Sequence, residues 1–387
     1  MRYVKITSVL LVCVAAAAVL YTKITIDSRN DREGIYFLKG QYGDWLNVTD
    51  DLYPEETYRL LWGVALPKLK KSKKSAECVP VGKACTNYEW NEDSGKGFIK
   101  TLYPDGRKFI ISLGRYISYT GKPVSGLFVG GGLPPGDPDF DATNSNETGM
   151  SYYEGGRYYH IWCKVNEGIQ DTAGKTLLPS TWEFISSKIL ESSGNELTIV
   201  SKHRTLVNNV PVYIERTMFY QTGDAYLTFT TKLQNIGNTS TSLMYIYGDE
   251  PWLGNFYKFS KGNVGWYEGG FVYTESEIDT SKYSYAGFFD YGNPLAGESH
   301  DHTGKANFLE WDPATRPDTA YFSNNFGKVA PPEQKVPLAS YNNRVVSLQW
   351  GPRTLNPGDT LSFTLKVGMA DIDPKTGFPV KPQTQLY

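Results

Sequence analysis

From Glu196 onward the chain alternates apolar and polar side chains with a period of two. Over residues 226–234, Leu227, Phe229 and Leu233 fall on one side, and Thr228, Thr230, Lys232 and Gln234 on the other. That is the pattern of a half-buried strand, in which successive side chains point to opposite faces. Residues 197–200 and 210–220 form a second apolar pair around Asn208-Asn209, a dipeptide suited to the tight turn of a hairpin. Thr222-Gly223-Asp224 and Asn235-Ile236-Gly237-Asn238 mark further turns, with a strand expected over 243–247. Near the end, Leu361, Phe363, Leu365 and Val367 alternate with Ser362, Thr364 and Lys366. The turn Leu355-Asn356-Pro357-Gly358-Asp359 separates them from an apolar run at 345–350.

Upstream, the runs 98–102 and 109–113 flank Tyr103-Pro104-Asp105-Gly106, another hairpin signal. Residues 126–136 are rich in Gly and Pro. Residues 30–66 are mixed, and Asp50-Asp51 with Pro54-Glu55-Glu56 predicts a short helix to about Leu66. Five lysines crowd residues 68–74, read as a solvated loop. Regular short strands between Gly/Pro turns predict an all-β fold, a large antiparallel β-sandwich over 97–387. A small mixed region, 23–96, precedes it, and residues 1–22 form an apolar signal or anchor helix.

The N-terminal expectation rests on charge order. Arg2 and Lys5 precede an apolar run from Ile6 to Tyr21. A positive start followed by an apolar stretch is an export signal, and at this length either a cleaved peptide or a retained anchor fits. Either places the remainder outside the cytoplasm: periplasmic, at the cell surface or secreted. Cys78 and Cys85 enclose six residues, a spacing that reads as a disulfide loop in an oxidising compartment. Cys163 lies in an apolar stretch and reads as a buried thiol. Net charge is −2, so no global field points to nucleic acid. Aromatic residues reach 14%, with 28 Tyr and 9 Trp, which suits cores and binding faces alike.

The strand-and-turn order resembles the galactose-mutarotase-like supersandwich. The resemblance is carried by Glu215-Arg216 on a strand, Thr222-Gly223-Asp224, Leu233-Gln234-Asn235-Ile236-Gly237-Asn238 before an apolar strand, and Leu355-Asn356-Pro357-Gly358-Asp359 before the closing strand. It implies a carbohydrate-binding β-sandwich. The family's epimerases place an acid His after the Asn-x-Gly strand and a base Glu before the Pro-Gly turn. Here those stretches read Tyr245-Ile246-Tyr247-Gly248-Asp249-Glu250-Pro251-Trp252 and Val345-Val346-Ser347-Leu348-Gln349-Trp350. Neither residue is present, and Gln349 cannot take a proton at neutral pH.

Candidate chemistry gathers at a few places. Asp249 and Glu250 form an acid–base candidate pair, with Trp252 and Trp266 as faces for sugar stacking. Trp311 and Arg316 would grip a sugar or a carboxylate, and His160 sits in an aromatic stretch with Glu167 beyond it. His300 and His302 have the spacing of metal ligands on an extended segment, and Glu298 or Glu310 would supply a third. Asp137, Asp139 and Asp141 alternate as in a calcium loop, but Ala142 stands where an EF-hand needs Gly. A structural calcium or other divalent ion competes there with a plain acidic loop, and no cofactor is required. The motifs of nucleotide-binding loops, zinc proteases and serine-hydrolase elbows are absent from the sequence. Three function classes stay open. The leading one is an exported protein, anchored to a membrane if the first segment is retained, that binds glycan or polysaccharide across an aromatic cleft. The others are a hydrolase, lyase or epimerase using Asp249 or Glu250, and a structural envelope protein.

Overall fold

The computed structural model describes residues 36–39, 45–48, 72–114, 124–130, 149–162, 167–248, 251, 253–255, 264–289, 305–324, 337–338 and 344–384. The chain divides into two compact units, residues 1–69 with 134–140 and residues 70–133 with 141–387. In the first unit, β1 (Tyr36–Lys39) pairs antiparallel with β2 (Trp45–Val48). The signal or anchor segment and the helix expected at 54–66 lie outside the described residues. Among the described residues no helix is long and apolar enough to cross a membrane.

The described residues of the second unit form three antiparallel sheets. One runs, in spatial order, β16 (Gly254–Asn255), β8 (Arg157–Trp162), β7 (Met150–Glu154), β6 (Lys108–Leu113), β5 (Lys96–Leu102), β4 (Cys85–Asn91), β3 (Lys73–Lys74). This sheet starts at Lys73, upstream of the Gly97 boundary suggested by the sequence pattern. A second runs β10 (Thr176–Leu177), β9 (Gly168–Gln170), β15 (Thr241–Tyr247), β23 (Val345–Leu355), β22 (Thr319–Ser323), β19 (Ser276–Ile278). The largest begins β11 (Glu183–Ser192), β12 (Glu196–Val207), β13 (Val210–Gln221), β14 (Tyr226–Asn235). It continues β24 (Thr360–Ile372), β21 (Lys305–Trp311), β20 (Tyr285–Phe289), β17 (Val264–Tyr267), β18 (Gly270–Val272), with β25 (Pro379–Val380) paired to β24.

Local sequence explains the pairings. Val207 faces Val210 across Asn208 and Asn209, both with positive φ (51° and 64°), as a two-residue turn with right-handed strand twist demands. Asn208 also ties this turn to its neighbours: its Oδ1 accepts from Thr172 Oγ1 (2.8 Å) and its Nδ2 donates to Thr241 Oγ1 (3.0 Å). Strand β13 alternates buried and half-buried side chains along its whole length. Its inward set is Val210, Val212, Ile214, Arg216, Met218 and Tyr220. One charged residue therefore points into an apolar core shared by all three sheets, with Phe109, Phe229 and Leu348 among its members. Burial of this kind of surface is the main stabilising term of such a fold.

Candidate functional site

Tyr245, Ile246, Gln349 and Trp350 are packed core in this chain. Tyr245 on β15 lies opposite Trp350 on β23, and Ile246 opposite Gln349. Trp350 stacks on Phe363 at a centroid distance of 3.9 Å and an angle of 13°. Phe363 in turn lies 5.0 Å from Tyr245. Gln349 is buried, and its Nε2 donates to Tyr321 Oη (3.1 Å). No space for a sugar remains between these rings.

Polarity in that core is concentrated on Arg216. Its guanidinium is 2% exposed and pairs with the buried carboxylate of Glu167. Nη1 donates to Leu127 O (2.9 Å) and Nη2 to Tyr245 Oη (2.8 Å), while Tyr245 Oη donates to Glu167. The rings of Phe128 and Phe229 lie 4.6 and 5.0 Å from the cation. Glu167, considered beside His160 from sequence, is thus held by Arg216 and Tyr245. This buried network ties β13 to β15 and to the loop residues Leu127 and Glu167, away from solvent.

His203 is another buried titratable group of the core. Its Nε2 donates to Ser125 O (2.8 Å), and its ring packs among Phe128, Trp182 and Phe184. Burial pushes its pKa down to about 4, against a smaller upward pull from Ser125 O, so the ring is neutral near pH 7. Gly126 is required beneath it: φ is +101°, and an added Cβ would stand 2.5 Å from the imidazole.

An accessible concavity lies elsewhere, at the rim of the second sheet. A groove of about 830 Å³ runs between the turn after β19 and the segment 313–318. The segment is fixed by its own bonds. Asp312 caps it by accepting from Ala314 N (2.9 Å), Trp350 Nε1 donates to Thr315 O (2.8 Å), and Asp318 N donates to Gln349 O (2.8 Å). Asp318 then accepts from Arg353 Nη2 (2.6 Å) and Gly351 N (2.7 Å). Gly351 permits that geometry, because at φ +124° a Cβ would lie 2.7 Å from Leu243 O. On the opposite wall Asp279 is held by Ser281 and Lys282, whose hydrogen bonds lower its pKa. Two charged groove side chains have no hydrogen-bond or ion-pair partner among the described residues: Arg316 and Glu277. Pro313, Ala314 and Leu361 supply accessible apolar surface beside them, while Ile278, Pro317 and Trp350 are buried behind it.

Of the residues expected from sequence, Arg316 alone among the described ones reaches this groove. Trp266 and Trp311, expected on an aromatic cleft, are buried at 2% and 0% exposure. Trp266 donates Nε1 to Asn307 O (3.1 Å) and packs on Phe308, so neither indole offers a face to a ligand. Both strands are covered on two sides, which brings every residue of β21 under cover. Glu310, a suggested third metal ligand, is bonded to Lys366 (2.9 Å) and Lys381 (2.6 Å). Burial alone would raise its pKa, but those two lysines hold it below the usual carboxylate range. His160 is placed on β8 opposite Ser151 and Gly254, with its side chain outside the described residues. Asp249, Glu250, Trp252, His300, His302, Asp137, Asp139 and Asp141 also lie outside them. Among the described residues no cluster of three metal-ligating side chains forms. Cys78 and Cys85 form the disulfide expected of them, with Cα atoms 6.0 Å apart.

No protein-family model matches the sequence, and no curated protein matches it. Solved structures do, at low identity. One is a candidate aldose 1-epimerase from Klebsiella pneumoniae, 9% identical, with 75% of this chain and 84% of that chain covered and a TM-score of 0.40. Another is a galactose mutarotase-like protein from Clostridium acetobutylicum, 9% identical, covering 71% and 96%, with a TM-score of 0.34. A third, an aldose epimerase homologue from C. elegans, is 9% identical over 72% and 100%, with a TM-score of 0.33. The chain is similar to these mutarotase-like proteins, and no residue role is carried over from them.

Proposed function

We propose that this protein binds carbohydrate in the groove that holds Arg316, and that it does so outside the cytoplasm. The observation that carries the reading is the guanidinium of Arg316, without a partner among the described residues, set beside the fixed Asp318–Arg353 pair and the apolar side chains of Pro313, Ala314 and Leu361. A sugar ring needs donors and acceptors for its hydroxyls and apolar surface for its C–H face, and this groove presents all three. Arg316 supplies donors in a planar fork, and Glu277 supplies acceptors. Export is supported by Arg2 and Lys5 ahead of the apolar run and by the Cys78–Cys85 bridge, since disulfides persist in oxidising compartments. The test is retention on polysaccharide resins and a glycan array. Wild type is expected to bind at least one extracellular or envelope polysaccharide, and Arg316→Ala to weaken that binding about tenfold with an unchanged melting curve. Absence of binding to every such glycan overturns the reading.

A further inference from the structure

A second concavity, of about 460 Å³, lies between the Cys78–Cys85 bridge, the β11–β12 turn and the start of the turn after β13. Its chemistry differs from that of the groove because it is lined by hydroxyls arranged in a chain. Thr222 Oγ1 donates to Thr86 Oγ1 (2.8 Å). Thr86 Oγ1 lies 2.9 Å from Thr101 Oγ1, which lies 2.5 Å from Tyr220 Oη, and Tyr220 Oη donates to Asp224 O (3.3 Å). Each hydroxyl has one proton. Thr222 Oγ1 spends its one proton on Thr86, so at the cleft end of this chain it presents lone pairs.

The other lining groups extend the same bias. Glu77 and Glu196 border the cleft, and neither carboxylate has a partner among the described residues. Lys74, the one lining cation, is held by Glu89 (3.2 Å). Tyr88 Oη and Ser192 Oγ, 2.8 Å apart, tie β4 to the end of β11 and close the far wall. The disulfide and the bond from Cys78 N to Asn87 Oδ1 (3.0 Å) hold the near wall. A rigid cleft that offers acceptors and negative charge selects a ligand rich in donors and carrying positive charge.

We propose that this cleft is a second binding site, for a saccharide carrying a free ammonium group, with Thr222, Glu77 and Glu196 as its acceptors. It is independent of the Arg316 groove. The test is calorimetric titration of the full-length protein at pH 6 with the glucosamine disaccharide and, separately, its N,N′-diacetyl form. The free-amine sugar is expected to bind about tenfold more tightly, because acetylation removes the charge and two donors at each amine. Thr222→Val should weaken it about tenfold, Thr222→Ser should restore it, and Arg316→Ala should leave it unchanged. Should Thr222→Val fail to fold, Glu196→Gln, at an exposed position, is expected to weaken binding severalfold. Equal affinity for the two sugars, no binding of either, or full affinity in both Thr222→Val and Glu196→Gln overturns the proposal.

Discussion

Arg216 and Arg316 place the same guanidinium in opposite situations. Arg216 sits on the inward face of β13, and Glu167, Tyr245, Leu127 O and two aromatic rings saturate it. Arg316 stands at the rim in an open groove, where it has no partner among the described residues. A buried charge without partners is costly, so the interior arginine must be matched by its surroundings. At the rim water does that work, and the side chain stays available to a ligand. The difference separates polarity that holds sheets together from polarity that can recognise something.

The largest expected effect breaks the interior half of this comparison. Arg216→Met leaves Glu167 buried without its cation and should cost about 3–5 kcal/mol in urea unfolding. Adding Glu167→Leu should recover much of that loss. A double variant no more stable than the single would show that Arg216 acts by packing alone.

His203 sharpens the same point, since it is buried without charge. Its folded pKa of about 4 lies below the ordinary value of 6.5. Between those values the unfolded chain binds the extra proton, so stability falls as pH falls. Full protonation should remove about 3 kcal/mol, and His203→Leu should flatten the slope in that window. Asp224 has the opposite sign. Burial raises its pKa to about 6, against a hydrogen bond from Tyr226, so its contribution is greatest below the ordinary carboxylate range and is lost as pH rises through 6. Asp224→Asn should therefore gain stability relative to wild type above that pH, as read by thermal melts.

Smaller still is the effect expected at the groove wall. Gly351→Ala forces a side chain onto Leu243 O at a positive φ and should cost about 1–3 kcal/mol, with weaker glycan retention as Asp318 and Arg353 shift. Arg316→Ala should change stability by no more than about 0.5 kcal/mol.

Much of the fold was legible because it is local. The Asn208-Asn209 hairpin, the turn at Tyr103–Gly106 and the alternation of β14 and β24 each follow from short stretches of sequence. Arg216 was legible in principle: it occupies the even position among Val212, Ile214, Met218 and Tyr220, so period two alone sends it inward. Trp266 and Trp311 were misleading because a tryptophan suited to a binding face is equally suited to a sheet covered on both sides. Lys366 misled in the same way, facing Glu310 on β21 in place of water. The groove itself was not legible. It joins residues 277–281 to 313–318 and 350–353, segments brought together only by pairing of β19, β22 and β23. The hydroxyl chain from Thr222 to Tyr220 is equally nonlocal, linking two sheets through Thr86 and Thr101.

The most direct test of the account is glycan retention by Arg316→Ala and Arg216→Met, measured beside wild type at matched folded concentration. Arg316→Ala is expected to keep the wild-type melting curve and lose about nine-tenths of its affinity, while the folded fraction of Arg216→Met binds as wild type does. Undiminished binding by Arg316→Ala would contradict it.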